Sequence, residues 1–161
     1  MSFSLLACTF LLAFPIGVTA GLRSLTAPAA VTWAAHLGWL KLSGTPLSFM
    51  GSTAAVAIFT VLAAAELVAD KLPSTPSRTA PPGLIARVVF GGLSGASLCA
   101  AGMQSIALGA VLGAAGGLAG MFAGYKARTG LVRALKVPDI TIALLEDAVA
   151  IGGSFFLVSR F

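Results

Sequence analysis

The sequence predicts an all-α integral membrane protein with six transmembrane helices, arranged as two inverted three-helix repeats. The first observation is composition: 58% of the 161 residues are hydrophobic and only 9% are charged, unlike a soluble domain with a polar surface. The second is length, because a span needs about 20 apolar residues and the chain divides into six such runs. The third is an internal repeat at a constant offset.

Two pairs of segments carry this repeat. Residues 20–25, AGLRSL, match residues 101–106, AGMQSI, and Glu66 in AAAELVAD falls on Asp147 in LLEDAVAI. Both pairs are 81 positions apart. A duplicated unit explains both pairs better than chance similarity does, even though internal symmetry is generally weak in such folds. The units are repeat one, residues 1–77, and repeat two, residues 82–161, of a single membrane domain, residues 1–161.

The first repeat contains two runs close together and a third after a loop. Residues 3–22 are long enough to cross, and we expect this helix to be retained because the basic segment of a secretory signal is missing. They lead almost directly into residues 25–40, so the two runs form a tight helical hairpin. That second run is short for a span, and the hairpin either crosses fully or is re-entrant. A polar connection over residues 41–50 precedes the third run, residues 52–70.

The second repeat follows a loop rich in Pro, Ser and Thr, residues 73–82. Such a loop separates helices because proline cannot continue them. The remaining elements are predicted as a fourth helix over residues 84–101, a turn at 102–105, a glycine-rich fifth helix to residue 125, a basic connector over 126–136 and a sixth helix over 137–158.

Charge indicates how the spans are oriented. The net charge is +5, but the basic residues lie at the ends of apolar runs and not on one face, so nucleic acid is not a predicted partner. Most of them fall on the first, third and fifth connections: Arg23, Lys71, Arg78, Arg87, Lys126, Arg128, Arg133 and Lys136. By the positive-inside rule this side faces the cytoplasm. We expect a multi-pass protein of the bacterial inner membrane with both termini outside the cytoplasm.

Glycines recur every fourth residue along the fifth run, at positions 109, 113 and 117 and again at 116, 120 and 124. This spacing lets helix backbones approach closely, since no side chain intervenes. It indicates a packing seam inside the bundle or between protomers of a homo-oligomer. A phosphate-binding loop is not predicted, because such loops follow a strand.

Carboxylates inside apolar runs are the strongest indication of a functional site. An acid at bilayer depth costs about 2.5 to 3.5 kcal/mol on insertion scales, so it usually faces the bundle interior, a partner charge or water. Glu66 lies more than one turn inside the third run, and Asp147 lies near the middle of the sixth. We therefore predict a polar site between Glu66 and Asp147 near the midplane. The alternative is a protonated acid that only hydrogen-bonds between helices.

Four further residues complete the predicted set that binds substrate or ion. Asp70 shares a helix face with Glu66 because they are four residues apart, and Glu146 lies next to the central acid of the sixth run. Arg23 and Gln104 occupy the equivalent hairpin turns, where helix ends expose unpaired backbone groups. Two of the four have simpler interpretations, Asp70 as an anchor at headgroup level and Arg23 as a topology marker.

A catalytic interpretation rests on one short motif. Gly92-Leu93-Ser94-Gly95 resembles the GxSG serine motif of rhomboid intramembrane proteases. His36, at the outer end of the second run, and Ser94, near the middle of the fourth, differ too much in depth to form a dyad readily. We therefore do not predict an enzyme, and no Cys, His or carboxylate spacing predicts a metal or a cofactor.

Two segments and their surroundings resemble a known family: AGLRSLTAPAA, and AELVADKLP before a proline-containing loop and a weaker second half. The pattern is similar to a family of bacterial membrane proteins catalogued as domain of unknown function 4126. The likeness extends from about Gly17 to the last helix and is carried by Gly21, Arg23, Pro28 and residues 66–73. This resemblance implies a small multi-span membrane protein and contributes no catalytic residues.

We expect a small transporter or channel-like protein that moves a small solute or ion through the polar site at the repeat interface, with proton or cation coupling. Two alternatives remain open. Lipid-headgroup transport or scrambling would use Arg23 and the basic inner loops to gather an anionic headgroup. A structural or assembly subunit would pack its glycines against a partner and use the acids only to lock helices together. Membrane lipids are partners in each case.

Overall fold

Helices form the regular structure of this chain. A computed structural model describes residues 3–71 and 81–161, so nearly all of the predicted loop between the repeats lies outside the described residues. The described residues contain no strand, which confirms the all-α prediction for them. A 3₁₀ turn, Ser48–Gly51, precedes the third helix. The α-helices are α1 Phe3–Leu22, α2 Thr26–His36, α3 Thr53–Ala69, α4 Pro81–Ala101, α5 Ile106–Leu135 and α6 Asp139–Val158.

Helix boundaries follow from local chemistry. At the start of α3, Ser52 accepts a hydrogen bond from the backbone N–H of Ala55 at 3.1 Å. Ser105 accepts one from Leu108 at the start of α5, at 3.3 Å. Each serine satisfies a donor that the first helical turn leaves unpaired. Lys136 ends α5 by adopting a left-handed conformation with a φ of 52°.

The helices α1, α4 and α5 form the tightly packed centre of the bundle. A Cβ atom on Gly17 would lie 2.0 Å from the Gly113 carbonyl oxygen, and one on Gly113 would lie 2.2 Å from the Gly91 carbonyl oxygen. No side chain fits at such separations. Of the two predicted uses of the glycine spacing, the structure shows close contacts inside the bundle.

The order of contacts gives the relative directions of α1, α4, α5 and α6. Gly17 meets Gly113 and Gly21 meets Gly117, so α1 and α5 run parallel. The helices α4 and α6 run antiparallel to α1. The contacts that fix this are Gly102 with Thr9, Arg87 with Gly21, Ser154 with Thr19 and Asp147 with Arg23.

The second helix is shorter than predicted. Its 11 residues rise about 16 Å, well under the roughly 30 Å of a hydrocarbon core. The chain then turns at Gly38, which has a φ of 82°, and buries Leu40, Leu42 and Met50 in the core. A continuous helix over residues 25–40 is therefore wrong, because the apolar residues after His36 reach the core from a folded loop.

The fifth helix is longer than predicted. The expected basic connector over residues 126–136 is wrong up to Leu135, because α5 continues to that residue and is 30 residues long. Lys, Arg, Ala and Leu are good helix formers. The charged Lys and Arg side chains favour contact of this part of the helix with water, but they do not end the helix. The middle helices of the two halves, α2 and α5, therefore differ in length.

The apolar helices indicate a membrane protein. Among the described residues, α4, α5 and α6 are each long and apolar enough to cross a bilayer, whereas α3 and the described side chains of α1, Thr9–Leu22, form shorter apolar helices. The helix α3 packs mainly on α2 and leaves side chains such as Val61 and Val68 about two-thirds exposed. Such an apolar surface is stable in contact with lipid, whereas its exposure to water would cost free energy.

Candidate functional site

The acidic residues gather at the end of the bundle where α1 and α3 finish. The chain has five Asp and Glu residues, and each of them meets a basic side chain or a backbone N–H in the structure. Their contacts, followed from residue to residue, connect α1, α2, α3, α5 and α6. The five acids are Glu66, Asp70, Asp139, Glu146 and Asp147.

Arg23 lies at the centre of this arrangement. Its side chain is 0% exposed, and it sits in the turn between α1 and α2. Its Nε donates to Asp147 Oδ1 at 2.6 Å, and its Nη1 donates to Asp70 Oδ2. One guanidinium therefore binds carboxylates from α3 and α6 at the same time, a geometry that suits the fixed fork of arginine donors.

Lys71 completes what we call the Arg23 network, defined as Arg23, Asp70, Lys71 and Asp147. Its Nζ donates to Asp147 Oδ2 at 2.6 Å and to the Leu67 carbonyl at 2.7 Å. Both oxygens of Asp147 are therefore paired, and that residue is only 7% exposed. The network holds two positive and two negative side chains, so its formal charge is balanced. A buried cluster is tolerated when its charges are paired in this way.

Glu66 caps α2 through backbone and hydroxyl contacts. Its Oε1 accepts from the Ser24 N–H at 2.8 Å and from the Ser24 hydroxyl, and its Oε2 accepts from the Leu25 N–H at 2.8 Å. The carboxylate thus faces the positive end of the helix dipole. This contact fixes α3 against the start of α2, directly beside the Arg23 network.

Replacing Glu66 with glutamine tests the capping contact. Glutamine keeps one acceptor but loses the charge and one of the two oxygens, so we expect the protein to lose about 1 kcal/mol of unfolding free energy. Reversible unfolding in mixed micelles, followed by tryptophan fluorescence, would measure it. A Glu66→Gln protein at least as stable as the wild type would contradict the capping role.

The depth of the network follows from helix positions. Arg87, the seventh residue of α4, donates from Nε to the Gly21 carbonyl at 3.0 Å, and Gly21 lies two residues before Arg23. That level is about 9 Å from the start of α4. Asp147 is the ninth residue of α6, about 12 Å from its start. The network is therefore about one-third of the way along these two helices. It lies closer to one end of the bundle than the predicted site, which is near the midplane.

Gln104 lies away from the other predicted site residues. It follows α4, whose end meets Thr9 near the beginning of α1, whereas Arg23 follows the end of α1. Its Nε2 donates to the Gly102 carbonyl at 3.1 Å within its own turn. The structure therefore brings together Arg23, Asp70 and Asp147, with Glu66 beside them, and separates Gln104 from this group.

A family comparison covers almost the whole chain. Residues 10–159 match the family described as domain of unknown function (DUF4126). The chain belongs to this family. The match includes the Arg23 network and all six predicted site residues, and it confirms the family resemblance of the sequence. No curated protein and no solved structure shows significant similarity to this DUF4126 protein.

A second group of charges lies beside the network in this DUF4126 protein. Arg128 of α5 pairs with Asp139 at the start of α6 and approaches Glu146 at 3.5 Å. Glu146 and Asp147 are neighbours in sequence but point about 100° apart around the helix, one towards α5 and the other towards Arg23. A cleft of about 200 Å³ between α5 and α6 has Arg128, Glu146 and otherwise mainly apolar side chains on its walls.

Sequence reasoning missed several partners. Arg87 is predicted only as a topology marker near the third connection, but it is 4% exposed and binds the Gly21 and Gly83 carbonyls. Lys71 is predicted as a topology marker on the third connection and instead reaches Asp147. One signal was available for Arg87, since it follows a Pro-Pro pair that marks a helix start. The contact of Lys71 depends on tertiary packing.

The other chemical interpretations find no assembled site in the described residues. Ser94 donates to the Phe90 carbonyl at 2.8 Å, and His36 Nδ1 lies 3.0 Å from the Gly51 carbonyl at the end of α2. Each thus has a local backbone partner. Across residues 3–71 and 81–161, no group of three His, Cys, Asp or Glu residues is placed to hold a metal ion.

Proposed function

We propose that this DUF4126 protein is a small membrane transporter that moves a small solute or ion with proton coupling through the Arg23 network. The observation that carries the proposal is the fully buried guanidinium between carboxylates of α3 and α6. Ionisable groups held inside a membrane bundle are costly, and they commonly mark ion or proton pathways. Asp70 and Asp147 are the proton-accepting groups in this scheme.

The arrangement of the network supports alternating access. Arg23, Asp70 and Lys71 belong to the first half of the chain, whereas Asp147 belongs to the second half. A proton on Asp147 weakens its pairs with Arg23 and Lys71, which are ion pairs between the two halves. Movement of one half against the other can then follow protonation.

Inverted repeats are part of the proposal. Two observations support it: α1 and α5 run parallel to each other and antiparallel to α4 and α6, and α2 runs antiparallel to α3, since Glu66 meets Ser24 and Thr60 meets Trp33. In the proposal, α1–α3 and α4–α6 are three-helix units of opposite orientation. The turns after α1 and α4 consequently lie at opposite ends of the bundle. Transporters with inverted repeats place their sites where the two units meet. We propose an inner-membrane location with the basic end in the cytoplasm and both termini outside it.

Replacing Asp147 with asparagine tests the coupling role. In proteoliposomes that contain a pH-sensitive dye and a potassium-clamped membrane potential, we expect the wild type to carry protons above the rate of empty vesicles. Asp147→Asn keeps the side-chain shape but cannot take up a proton, so we expect the flux to fall at least about tenfold, equivalent to about 1.4 kcal/mol.

Asp139→Asn is the matched control, because it makes the same change on the same helix at a side chain that is 61% exposed. We expect it to retain most of the flux. Wild-type flux in both Asp147→Asn and Asp70→Asn would eliminate the network as the coupling site. Flux no greater than that of empty vesicles in the wild type would instead favour a structural subunit.

Lipid-headgroup transport is the second candidate, and the cleft between α5 and α6 favours it. Its walls are apolar apart from Arg128 and Glu146, so they suit contact with part of an acyl chain while Arg128 attracts a phosphate. Movement of fluorescent phosphatidylglycerol between leaflets, lost in Arg128→Gln but kept in Asp147→Asn, would support this function over proton-coupled transport.

A further inference from the structure

We propose that the Arg23 network binds a small monovalent inorganic anion and takes up one proton with it. The anion accepts hydrogen bonds from Arg23 Nη2 and Thr26 Oγ1. This proposal rests on the proposed transport function and names its substrate class. Three features support it: an incompletely paired guanidinium, a threonine hydroxyl without a partner, and the charge balance of the cluster.

One nitrogen of the Arg23 guanidinium has no hydrogen-bond acceptor among the described residues. Nε and Nη1 are occupied by Asp147 and Asp70, whereas Nη2 is buried and donates to no acceptor among residues 3–71 and 81–161. A buried donor without an acceptor costs about 1 to 3 kcal/mol, and more when it is charged. The two N–H groups of Nη2 therefore point to an acceptor that the described chain does not itself supply.

The hydroxyl of Thr26 lies on the same turn and also has no hydrogen-bond partner among the described residues. Thr26 begins α2 three residues after Arg23, and its Oγ1 is buried without a partner among the described residues. Thr32 of the same helix shows the usual arrangement, because its hydroxyl donates to the Ala29 carbonyl at 2.8 Å. A hydroxyl and a guanidinium nitrogen that both lack an acceptor favour a ligand rich in lone pairs, such as a small anion.

The charge of the surrounding groups requires a proton with the anion. Arg23 and Lys71 balance Asp70 and Asp147, and Glu66 faces the positive end of α2. Arg128 of α5 also interacts electrostatically with Asp70, but it already pairs with two acids of α6. Arg87 of α4 lies at the same level and donates to the Gly21 and Gly83 carbonyls. Within the Arg23 network itself, an added anion leaves one negative charge in excess.

A proton on Asp70 removes this excess. Asp70 is the more exposed of the two carboxylates that Arg23 binds, with a side chain 18% exposed against 10% for Asp147, so water reaches it more easily. Since the bound state then holds one more proton than the free state, anion affinity rises as the pH falls. Uptake of one proton with the anion changes the affinity by at most about tenfold per pH unit.

Thermal unfolding of the full chain in detergent, with added sodium chloride or sodium nitrate, tests the site. Sodium gluconate at equal ionic strength serves as the reference, at about pH 5.5 and about pH 7.5. A ligand that binds only the folded state raises the unfolding temperature. We expect both small anions to raise it, with at least about tenfold higher affinity at the lower pH.

Thr26→Val and Thr32→Val form a matched pair. Thr26→Val removes a hydroxyl without a protein partner, so we expect unchanged or higher stability without anion and at least about tenfold weaker anion binding. Thr32→Val removes a hydrogen-bonded hydroxyl, so we expect lower stability and unchanged binding. Arg23→Lys keeps the charge but lacks Nη2, and we expect it to bind the anions at least about tenfold more weakly.

Several results would overturn the proposal. Wild-type anion affinity in Thr26→Val would remove the hydroxyl from the site, and affinity that does not change with pH would remove the proton. Proton flux that depends on Asp147, without any effect of chloride or nitrate on unfolding, would reject the anion while leaving the transport function in place. Anion binding with the predicted dependence on Thr26, but without flux, would support the site and reject transport.

Discussion

Arg23→Met is expected to destabilise the protein by about 3 to 5 kcal/mol, the cost of breaking a buried ion pair from one side. Methionine preserves much of the side-chain volume but leaves Asp70 without its guanidinium partner and Asp147 with Lys71 alone. Reversible unfolding in mixed detergent micelles, monitored by the fluorescence of Trp33 and Trp39, measures the change. Trp33 lies in the last turn of α2 and Trp39 lies just after this helix, whose start follows Arg23.

An exposed arginine provides the control for this variant. Arg133 lies in the last turn of α5 and is exposed. Arg133→Met should change stability by less than about 0.5 kcal/mol, as surface substitutions usually do. If Arg23→Met and Arg133→Met lower the unfolding free energy by similar amounts, then Arg23 is not the buried centre of a network. That result would contradict the proposed functional site.

Gly113→Ala is expected to cost about 3 kcal/mol or more, although it adds only one methyl group. The new Cβ atom would lie 2.2 Å from the Gly91 carbonyl oxygen, and backbone at that distance cannot move without separating α4 from α5. Overpacking in a rigid interior typically costs about 1 to 3 kcal/mol, and occasionally more. The upper end applies here because the obstacle is backbone.

Gly130→Ala is the matched control, since it makes the same change in the same helix. A Cβ atom at Gly130 has nothing within 4 Å, and alanine is a better helix former than glycine by about 0.5 to 1 kcal/mol. We therefore expect Gly130→Ala to be neutral or stabilising. Equal losses for Gly113→Ala and Gly130→Ala would contradict the close approach of α4 and α5.

Much of the helical framework follows from the sequence. The starts of α3 and α5 are marked by Ser52 and Ser105, which cap the helices as their types predict. Sequence reasoning failed where polarity and helix formation disagree. Residues 126–135 are polar enough to suggest a connector but continue α5, because the backbone of a helix that leaves the apolar region can still satisfy its own hydrogen bonds.

The opposite error occurred after α2. Leu37, Trp39 and Leu40 extend the apolar run past His36, so hydropathy predicts a longer span. Gly38 instead turns the chain, and Leu40 reaches the core from a loop. Hydropathy reports that a residue prefers an apolar environment but does not report which backbone geometry brings it there.

The composition of the site was only partly predictable. Buried acids are conspicuous in apolar runs, so Asp147, Asp70 and Glu66 could be selected from sequence. Arg23 could be selected as well, but its pairing with Asp70 and Asp147 could not be predicted, because which cation meets which acid depends on packing between helices far apart in the chain. Arg23 and Asp147 are separated by 124 positions, and the 81-residue repeat relates Arg23 to Gln104, which lies elsewhere.

A double-mutant cycle between Arg23 and Asp147 tests the central claim, that these two side chains pair inside the bundle, most directly. The unfolding free energies of Arg23→Met, Asp147→Asn and the double variant are compared with that of the wild type. Each single change leaves an unbalanced buried charge, whereas the double variant leaves Asp70 and Lys71 in balance. We predict that the double variant loses at least about 1 kcal/mol less than the sum of the single losses. Losses that add to within about 0.5 kcal/mol would contradict the pairing.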